Sequence, residues 1–452
     1  MTFRIKRNIW RKFILYAILY LVTVFIVVSV LIFHPYEHNV LPWLRTIIIV
    51  FATILLTKYF TYMVISPWYD VWKYWNYHYR LRQKVRTYKP KVSVMIPAWN
   101  EEVGILATIK SLLKSTYHNI ELVVINDGST DGSHSLISDF LAHYEGDIPI
   151  VYHYQLNGGK GSALNKAIGL SHGELLVSID ADCAVDPNAI KHFVRYFADP
   201  KVMAAVGNVK IGNTGTVIGV VQYLEFLFSF YFKKADSLFN AIYIIGGAAG
   251  AFRRKIFDTL GGYSIGNITE DIELSLRIQD AGMKIVYAAD AVVYTEGAID
   301  ISGLRKQRLR WKRGRFQTFH HFRHLFFSMK PIHQKILTCG ILPLALVGDL
   351  QLFLEPIFLL FLYIYSFITR DYSSFVSGII VVSTMFLIQI FFDDRKNRRW
   401  SFYILFPIGW LLFYLTTIVE YSALIKSGWL YIRKQEVTWQ RWKRKGVMNK
   451  SV

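Results

Sequence analysis

Leu175-Leu176-Val177-Ser178-Ile179-Asp180-Ala181-Asp182 joins an apolar run of buried-strand length to two carboxylates with one residue between them. In an open α/β sheet, ligands bind beyond the carboxyl ends of the strands. A strand that ends this way therefore delivers its acids to the binding edge. Two carboxylates in a loop suit a hard divalent cation, which in turn can hold nucleotide phosphates. Taken alone, the same residues also fit a solvated turn.

On both sides of this run the pattern alternates. Segments 92–96, 121–125, 148–153, 174–179 and 202–206 read as strands, and 102–115, 131–144, 162–171 and 187–198 as helices. Strand and helix in turn predict an α/β domain built on a doubly wound, mostly parallel sheet. No Gly-x-Gly-x-x-Gly follows the first strand and no Walker A sequence occurs, which disfavours a dinucleotide dehydrogenase or a P-loop NTPase.

The other strand ends also collect polar groups. The first leads into Pro97-Ala98-Trp99-Asn100-Glu101-Glu102, the second into Asn126-Asp127-Gly128-Ser129-Thr130-Asp131. Each fits a helix cap or turn, but three such ends on one edge point to a nucleotide site, with an aromatic and Asn or Asp gripping base and ribose. Gly158-Gly159-Lys160-Gly161 opens a helix and offers N–H groups, a positive dipole end and a lysine to an anion. A glycine-rich turn with a surface lysine fits it equally. In Thr269-Glu270-Asp271, Thr269 is expected to cap a helix whose buried stripe is Ile272, Leu276 and Ile278. The helix dipole favours charged carboxylates in that first turn, as a proton acceptor requires. Gln307, Arg310 and Trp311 share a helical face in Gln307-Arg308-Leu309-Arg310-Trp311. Trp can stack on a sugar and Arg can hold a diphosphate, while an interfacial helix on lipid headgroups is the plainer reading.

The chain has 452 residues, 53% of them apolar, with a formal charge of +20. Location decides what that charge means. Residues 92–304 hold 15 lysines and arginines against 23 aspartates and glutamates, whereas 1–12, 80–91 and 305–330 hold 5, 6 and 9 basic residues and no acid. An acidic middle with basic flanks beside apolar runs matches a membrane protein, not a nucleic-acid binder. Segment 13–33 is an uncharged run long enough to span a bilayer, with no signal-peptide cleavage pattern. Segment 41–65 is a second span, in which Arg45 and Lys58 can snorkel; the linker 34–40, without Lys or Arg, faces outward. Segments 217–232 and 301–327 read as amphipathic interfacial helices. Segments 376–392 and 402–424 are further spans; 336–368 is too long for one and reads as two short spans, or an interfacial helix and a span. The tail 426–450 is basic, so it is placed in the cytoplasm after two or four crossings. Cys183 and Cys339 read as free thiols.

Together, Asn126-Asp127-Gly128-Ser129, Asp180-Ala181-Asp182, Thr269-Glu270-Asp271 and Gln307-Arg308-Leu309-Arg310-Trp311 resemble the processive family 2 glycosyltransferases, which include cellulose, chitin and hyaluronan synthases. The runs ITEDIELSLRI, GAAGAFRR and KQRLRW are most similar to poly-β-1,6-N-acetylglucosamine synthases. The resemblance implies a GT-A-like cytosolic domain between transmembrane helices. Its division is a hairpin and linker at 1–90, the transferase domain at 91–300, an interfacial segment at 301–335, a membrane region at 336–425 and a tail at 426–452. It implies that Pro97, Trp99, Asn100 and Glu101 lie near the uridine, Asp127 binds uracil or ribose, and Lys160 lies near the nucleotide. Asp180 and Asp182 would bind the diphosphate, with Asp182 also a ligand to Mg²⁺ or Mn²⁺. Asp271 would be the general base, flanked by Thr269 and Glu270, while Gln307, Arg308, Arg310 and Trp311 would hold the acceptor and the leaving UDP. Lys312-Arg313-Gly314-Arg315 is more basic than expected after that motif. The implied partners are a UDP-sugar, first of all UDP-N-acetylglucosamine, a growing polysaccharide for export, the lipid bilayer of a plasma membrane and a small membrane accessory subunit. A synthase of another β-polymer, a transferase adding one sugar to a lipid carrier, and a non-enzymatic basic membrane-surface protein are the alternatives.

Overall fold

The computed structural model describes residues 10, 13, 14, 16–25, 42–393, 402, 403, 406–433, 435 and 444–447. The basic residues of 1–12, the end of the first apolar run with its linker (26–40) and most of the tail lie outside the described residues. The chain forms two compact units. One comprises Met1–Trp72, Leu227–Ala235 and Leu346–Tyr421; the other comprises Lys73–Phe226, Asp236–Ala345 and Ser422–Val452.

The second unit is built on an eight-stranded sheet. Its strands are β1 (Val92–Ala98), β2 (Ile120–Asp127), β3 (Ile150–Gln155), β4 (Leu175–Ser178), β5 (Cys183–Val185), β6 (Val202–Ile211), β7 (Gly250–Arg253) and β8 (Lys284–Thr295), in the order β3-β2-β1-β4-β7-β6-β8-β5. β1, β2 and β4 are buried along their whole length, as near-continuous apolar runs require. All five expected strands and all four expected helices of the domain are present. The sheet is mostly parallel, as expected, but mixed: β6 and β8 pair parallel and run the same way as β1 to β4, while β7 and β5 run against them. β3, β2, β1 and β4 run parallel, but β7 enters antiparallel between β4 and β6, and β5 pairs antiparallel with β8. β7 escapes a sequence reading because Gly246-Gly247-Ala248-Ala249-Gly250 carries no β-branched or aromatic signal before it.

Strand order reverses beside β1. The chain moves outward from β1 to β2 and β3, then returns to lay β4 on the opposite side. Pairing with β4 ends at Met95, so Pro97, which has no N–H to donate, falls where β1 has lost that neighbour. The crevice between the diverging ends of β1 and β4 is the place where an α/β sheet accepts ligands.

In the other unit, Tyr16, Met63, Tyr231, Val381, Met385 and Ile388 form one core, and Leu44, Ile48, Leu362 and Tyr365 another. Of segment 41–65, the described residues 42–65 lie within one helix, Pro42–Trp75. Segment 336–368 is not two short spans: a π-helical turn, Ile336–Ile341, runs directly into Leu342–Thr369. Pro356 removes only one ladder hydrogen bond, and the apolar sequence around it carries the helix through. Among the described residues, Ile336–Thr369 is the one helix long and apolar enough to cross a membrane, while Tyr16–Phe25 and Phe375–Phe391 are shorter apolar helices.

The β2 turn depends on one glycine. Gly128 has φ +69°, and a Cβ there would lie 2.7 Å from the Asn157 nitrogen. Gly128→Ala is expected to cost at least roughly 1–2 kcal/mol from the left-handed backbone alone. Gly169, exposed in the helix Lys160–Leu170 with open space at its Cβ, should instead gain about 0.5–1 kcal/mol on mutation to Ala. Thermal midpoints of the two variants, moving in opposite directions, check this.

Candidate active site

Two loops meet at the edge beyond β1 and β2 and clasp each other. Asn100, at φ +56°, accepts the N–H groups of Thr130 (2.8 Å) and Asp131 (3.1 Å) on its Oδ1. Ser129 Oγ accepts the Asn100 N–H (2.9 Å) and Ser133 Oγ the Glu101 N–H (2.9 Å). Glu102 and the Asp131-Gly132 turn exchange two more hydrogen bonds. The loop carrying Trp99, Asn100 and Glu101 is thus held in place by polar groups of the Asn126–Asp131 run. Asn100 Nδ2 remains buried without a partner among the described residues.

The glycine-rich turn differs from its expected role. The N–H groups of Gly158 (3.0 Å) and Gly159 (2.8 Å) point at the carboxylate of Asp127, which also accepts from Gln155 Nε2 (2.7 Å). The anion at the start of the helix Lys160–Leu170 is therefore the chain's own Asp127. What the turn delivers outward is Lys160. Its Nζ lies 2.5 Å from Asp180 Oδ1 and 3.5 Å from Glu270 Oε1. Burial alone would lower the Lys160 pKa, but Asp180, Glu270 and Asp271 outweigh it and push the pKa upward. Glu270 is raised, chiefly by burial, with Lys160 opposing and Asp271 reinforcing.

Thr269 does not cap the helix Glu270–Asp280 with its side chain. Asn267 Oδ1 takes the Thr269 N–H instead (3.0 Å), and Asp271 Oδ1 accepts from Ile272 N–H (2.9 Å). The physical reason is the backbone of Thr269, at φ −125° and ψ 69°, outside the extended range usual for an N-cap. Ile272, Leu276 and Ile278 are buried as expected. The second oxygen of Asp271 accepts the N–H of Gly247 (3.1 Å), so the carboxylate is fixed from two directions.

The helix Ile301–His321 lies against this turn. Gly314 is its contact point: a Cβ there would lie 2.3 Å from the Thr269 side chain. Arg310 is close enough to act on the charge of Glu270. Arg308 is buried, pairs with Glu225 (2.6 Å) and stacks on Trp311, 4.3 Å from the ring centroid. Gln307 is also buried, its Oε1 without a partner among the described residues.

Beyond β4, Thr108 sets the Asp180–Asp182 turn by donating to Ala181 O (2.7 Å) and accepting the Cys183 N–H (3.1 Å). Asp182 and Glu101 then share one cation, Arg444. Its Nη1 donates to Asp182 and its Nη2 to Glu101 Oε1 (2.7 Å). Burial, opposed by Arg444 and reinforced by Asp182, pushes the Glu101 pKa up to about 8. Among the described residues, no group of three or more His, Cys, Asp or Glu is arranged to hold a metal by itself. Asp182 and Glu101 still form an oxygen-donor pair on which a cationic group already sits, and among the described residues Glu101 Oε2 is buried without a partner. That donor chemistry fits a hard divalent ion completed by phosphate and water oxygens.

The fold therefore gathers Lys160, Asp180, Glu270, Asp271 and Arg310, with Glu101 and Asp182 next to Asp180. Pro97 is buried within β1 and Trp99 half-buried at its end. Arg308 is committed to Glu225. Thr108, Gly247, Glu296 and Arg444 were not legible as site residues. Only Gly247 had a signal, as the first residue of the GAAGAFRR run.

A mixed sheet with acids at its strand ends and a carboxylate-tipped helix alongside is the GT-A glycosyltransferase architecture. Residues 90–314 match the family described as Glycosyltransferase like family 2; the chain carries a family 2 glycosyltransferase domain and is a glycosyltransferase. It is 28% identical over 322 residues to the poly-beta-1,6-N-acetyl-D-glucosamine synthase of Staphylococcus epidermidis, covering 68% of this chain and 76% of that one. It is 30% identical over 241 residues to the protein of the same name in Staphylococcus aureus, covering 53% and 57%. In fold it resembles the mannosyltransferase PcManGT from Pyrobaculum calidifontis, solved in complex with GDP-Man and Mn²⁺, with a TM-score of 0.55, 20% identity, and coverage of 87% of this chain and all of that one.

The close approach of Gly314 to Thr269 yields a direct test. Gly314→Ala should force the Ile301–His321 helix away from Asp271 and lower glycosyltransferase turnover by about a hundredfold, the cost of misplacing reacting groups by an ångström. Initial rates of nucleotide release check it.

Proposed function

We propose that the chain is a membrane-embedded, processive, inverting glycosyltransferase that polymerises N-acetylglucosamine from UDP-N-acetylglucosamine into an exported polysaccharide. The observation that carries this reading is the double ion pair of Lys160 with Asp180 and Glu270. It joins the strand-end acids suited to a donor diphosphate to the helix that presents Asp271. The choice of sugar and polymer rests on the names of the relatives.

In this reading Trp99, Asn100 and Asp127 belong to the nucleoside side of the pocket, and Asp180 and Asp182 to the diphosphate side. Asp182, with Glu101 beside it, would hold Mg²⁺ or Mn²⁺. Bound there, the ion would supply charge neutralisation at the diphosphate. Asp271 accepts the proton of the acceptor hydroxyl. That oxygen bonds to the anomeric carbon as the bond to the diphosphate oxygen breaks, and UDP leaves with the electron pair. One displacement inverts the configuration, without the second flanking carboxylate that glycosidases use. The N–H groups of Gly247 and Ile272 orient Asp271 for this task. Arg310 and Trp311 are placed on the acceptor and leaving-group side, and Gln307 and Arg308 brace them.

Membrane embedding is supported by basic segments beside apolar runs. The helix Ile336–Thr369 and the exposed apolar side chains of that unit, Leu350, Phe367 and Ile418 among them, support it further. That pattern supports a multi-pass arrangement in a plasma membrane, with the transferase domain in the cytoplasm between the membrane segments. A small membrane accessory subunit would be a further partner.

Asp271→Asn should retain UDP binding and lose transfer by at least roughly a thousandfold, because only the proton acceptor is removed; retained turnover would remove the assignment. Membranes containing the protein, offered a panel of labelled UDP-sugars, should convert UDP-N-acetylglucosamine to a long product. That product should be degraded by a β-1,6-specific hydrolase. A different sugar or linkage, or a single addition to lipid, would replace the polymer assignment.

A further inference from the structure

The tail residue Arg444 stands where the proposed function needs an ion and a diphosphate. We propose that segment 444–447 is an intrasteric strap: Arg444 holds the Glu101–Asp182 pair in the donor-free protein and must leave before a divalent ion can take Asp182. This rests on the reading of Asp182 as an ion ligand.

The contact is built, not incidental. The Arg444 side chain is 13% exposed, and the carboxylates it bridges are 9% and 10% exposed. A planar guanidinium donating to two carboxylates in so dry a place is a strong, geometrically specific pair. The backbone is anchored separately. Glu296, one residue past β8, accepts the N–H groups of Lys445 (2.6 Å) and Gly446 (3.2 Å). Gly446, at φ +80°, turns the chain there. Val447 then packs on Gly212, so closely that a Cβ on that glycine would lie 2.5 Å from its Cγ1. Glu296 therefore holds the strap while Glu101 and Asp182 hold the plug.

A cation of one charge and a cation of two cannot share the same two carboxylates. With Arg444 seated, an incoming dication meets an occupied donor pair and the repulsion of a buried guanidinium. Binding the ion requires breaking two charge-assisted hydrogen bonds, so the strap lowers the apparent affinity of the ion without touching the sugar.

The test uses the full chain in nanodiscs, without nucleotide, and reads Mn²⁺ affinity from the electron paramagnetic resonance signal of the free ion. Arg444→Ala should bind Mn²⁺ about tenfold more tightly than the unmodified protein, and Asp182→Asn should lose the site. If Asp182→Asn removes binding but Arg444→Ala leaves the affinity unchanged or weaker, the strap is wrong and the ion assignment survives. If Asp182→Asn binds Mn²⁺ like the unmodified protein, the ion assignment fails and the strap with it. A second variant, Gly212→Cys with Val447→Cys in a Cys339→Ser background, locks the strap without altering Arg444. Its oxidised form should bind Mn²⁺ more weakly than its reduced form; equal affinities would overturn the proposal.

Discussion

Too many carboxylates in too small a space is the constraint on which this domain turns. Glu101, Asp180, Asp182, Glu270 and Asp271 converge from three separate stretches of chain, and burial raises the cost of every like-charge pair among them. Two cations make the arrangement tolerable. Lys160 serves Asp180 and Glu270; Arg444 serves Asp182 and Glu101. A cluster of acids that requires added cations to be stable is also a cluster prepared to receive them, which is the property a nucleotide-sugar site needs.

Neutral groups do the positioning around this charged centre. Thr108 clamps the turn after β4 with one hydroxyl, and Gly247 aims Asp271 with one backbone N–H. Asp127 spends its charge on the N–H groups of Gly158 and Gly159, turning an expected anion site into the hinge that presents Lys160. These internal hydrogen bonds fix the turns that carry the ionised groups, the kind of preorganisation that charge stabilisation demands.

The basic helix Ile301–His321 shows how a membrane-like composition can conceal a structural role. Its arginines suit lipid headgroups, yet Arg308 and Arg313 are buried, Arg308 on Glu225 and Trp311, Arg313 against Tyr431. The bareness of Gly314 allows the helix to rest directly on Thr269.

What the amino-acid order determined is local. Apolar runs of strand length, alternating with helical periods, defined β1 to β4 and their helices. The acids at the strand ends were legible because strands deliver their carboxyl ends to a common edge. The basic flanks beside apolar runs were legible because charge and apolarity are sums over nearby residues. Tertiary structure decided the rest. β7 was invisible because the glycines and alanines that lead into it carry no propensity signal, and its antiparallel entry makes the mostly parallel sheet a mixed one. The clamp of Thr108 and the pairing of Arg444 with Asp182 join residues 73 and 262 positions apart. No window of sequence contains both partners of such a pair, because what brings them together is the closing of the whole sheet rather than the preference of any segment.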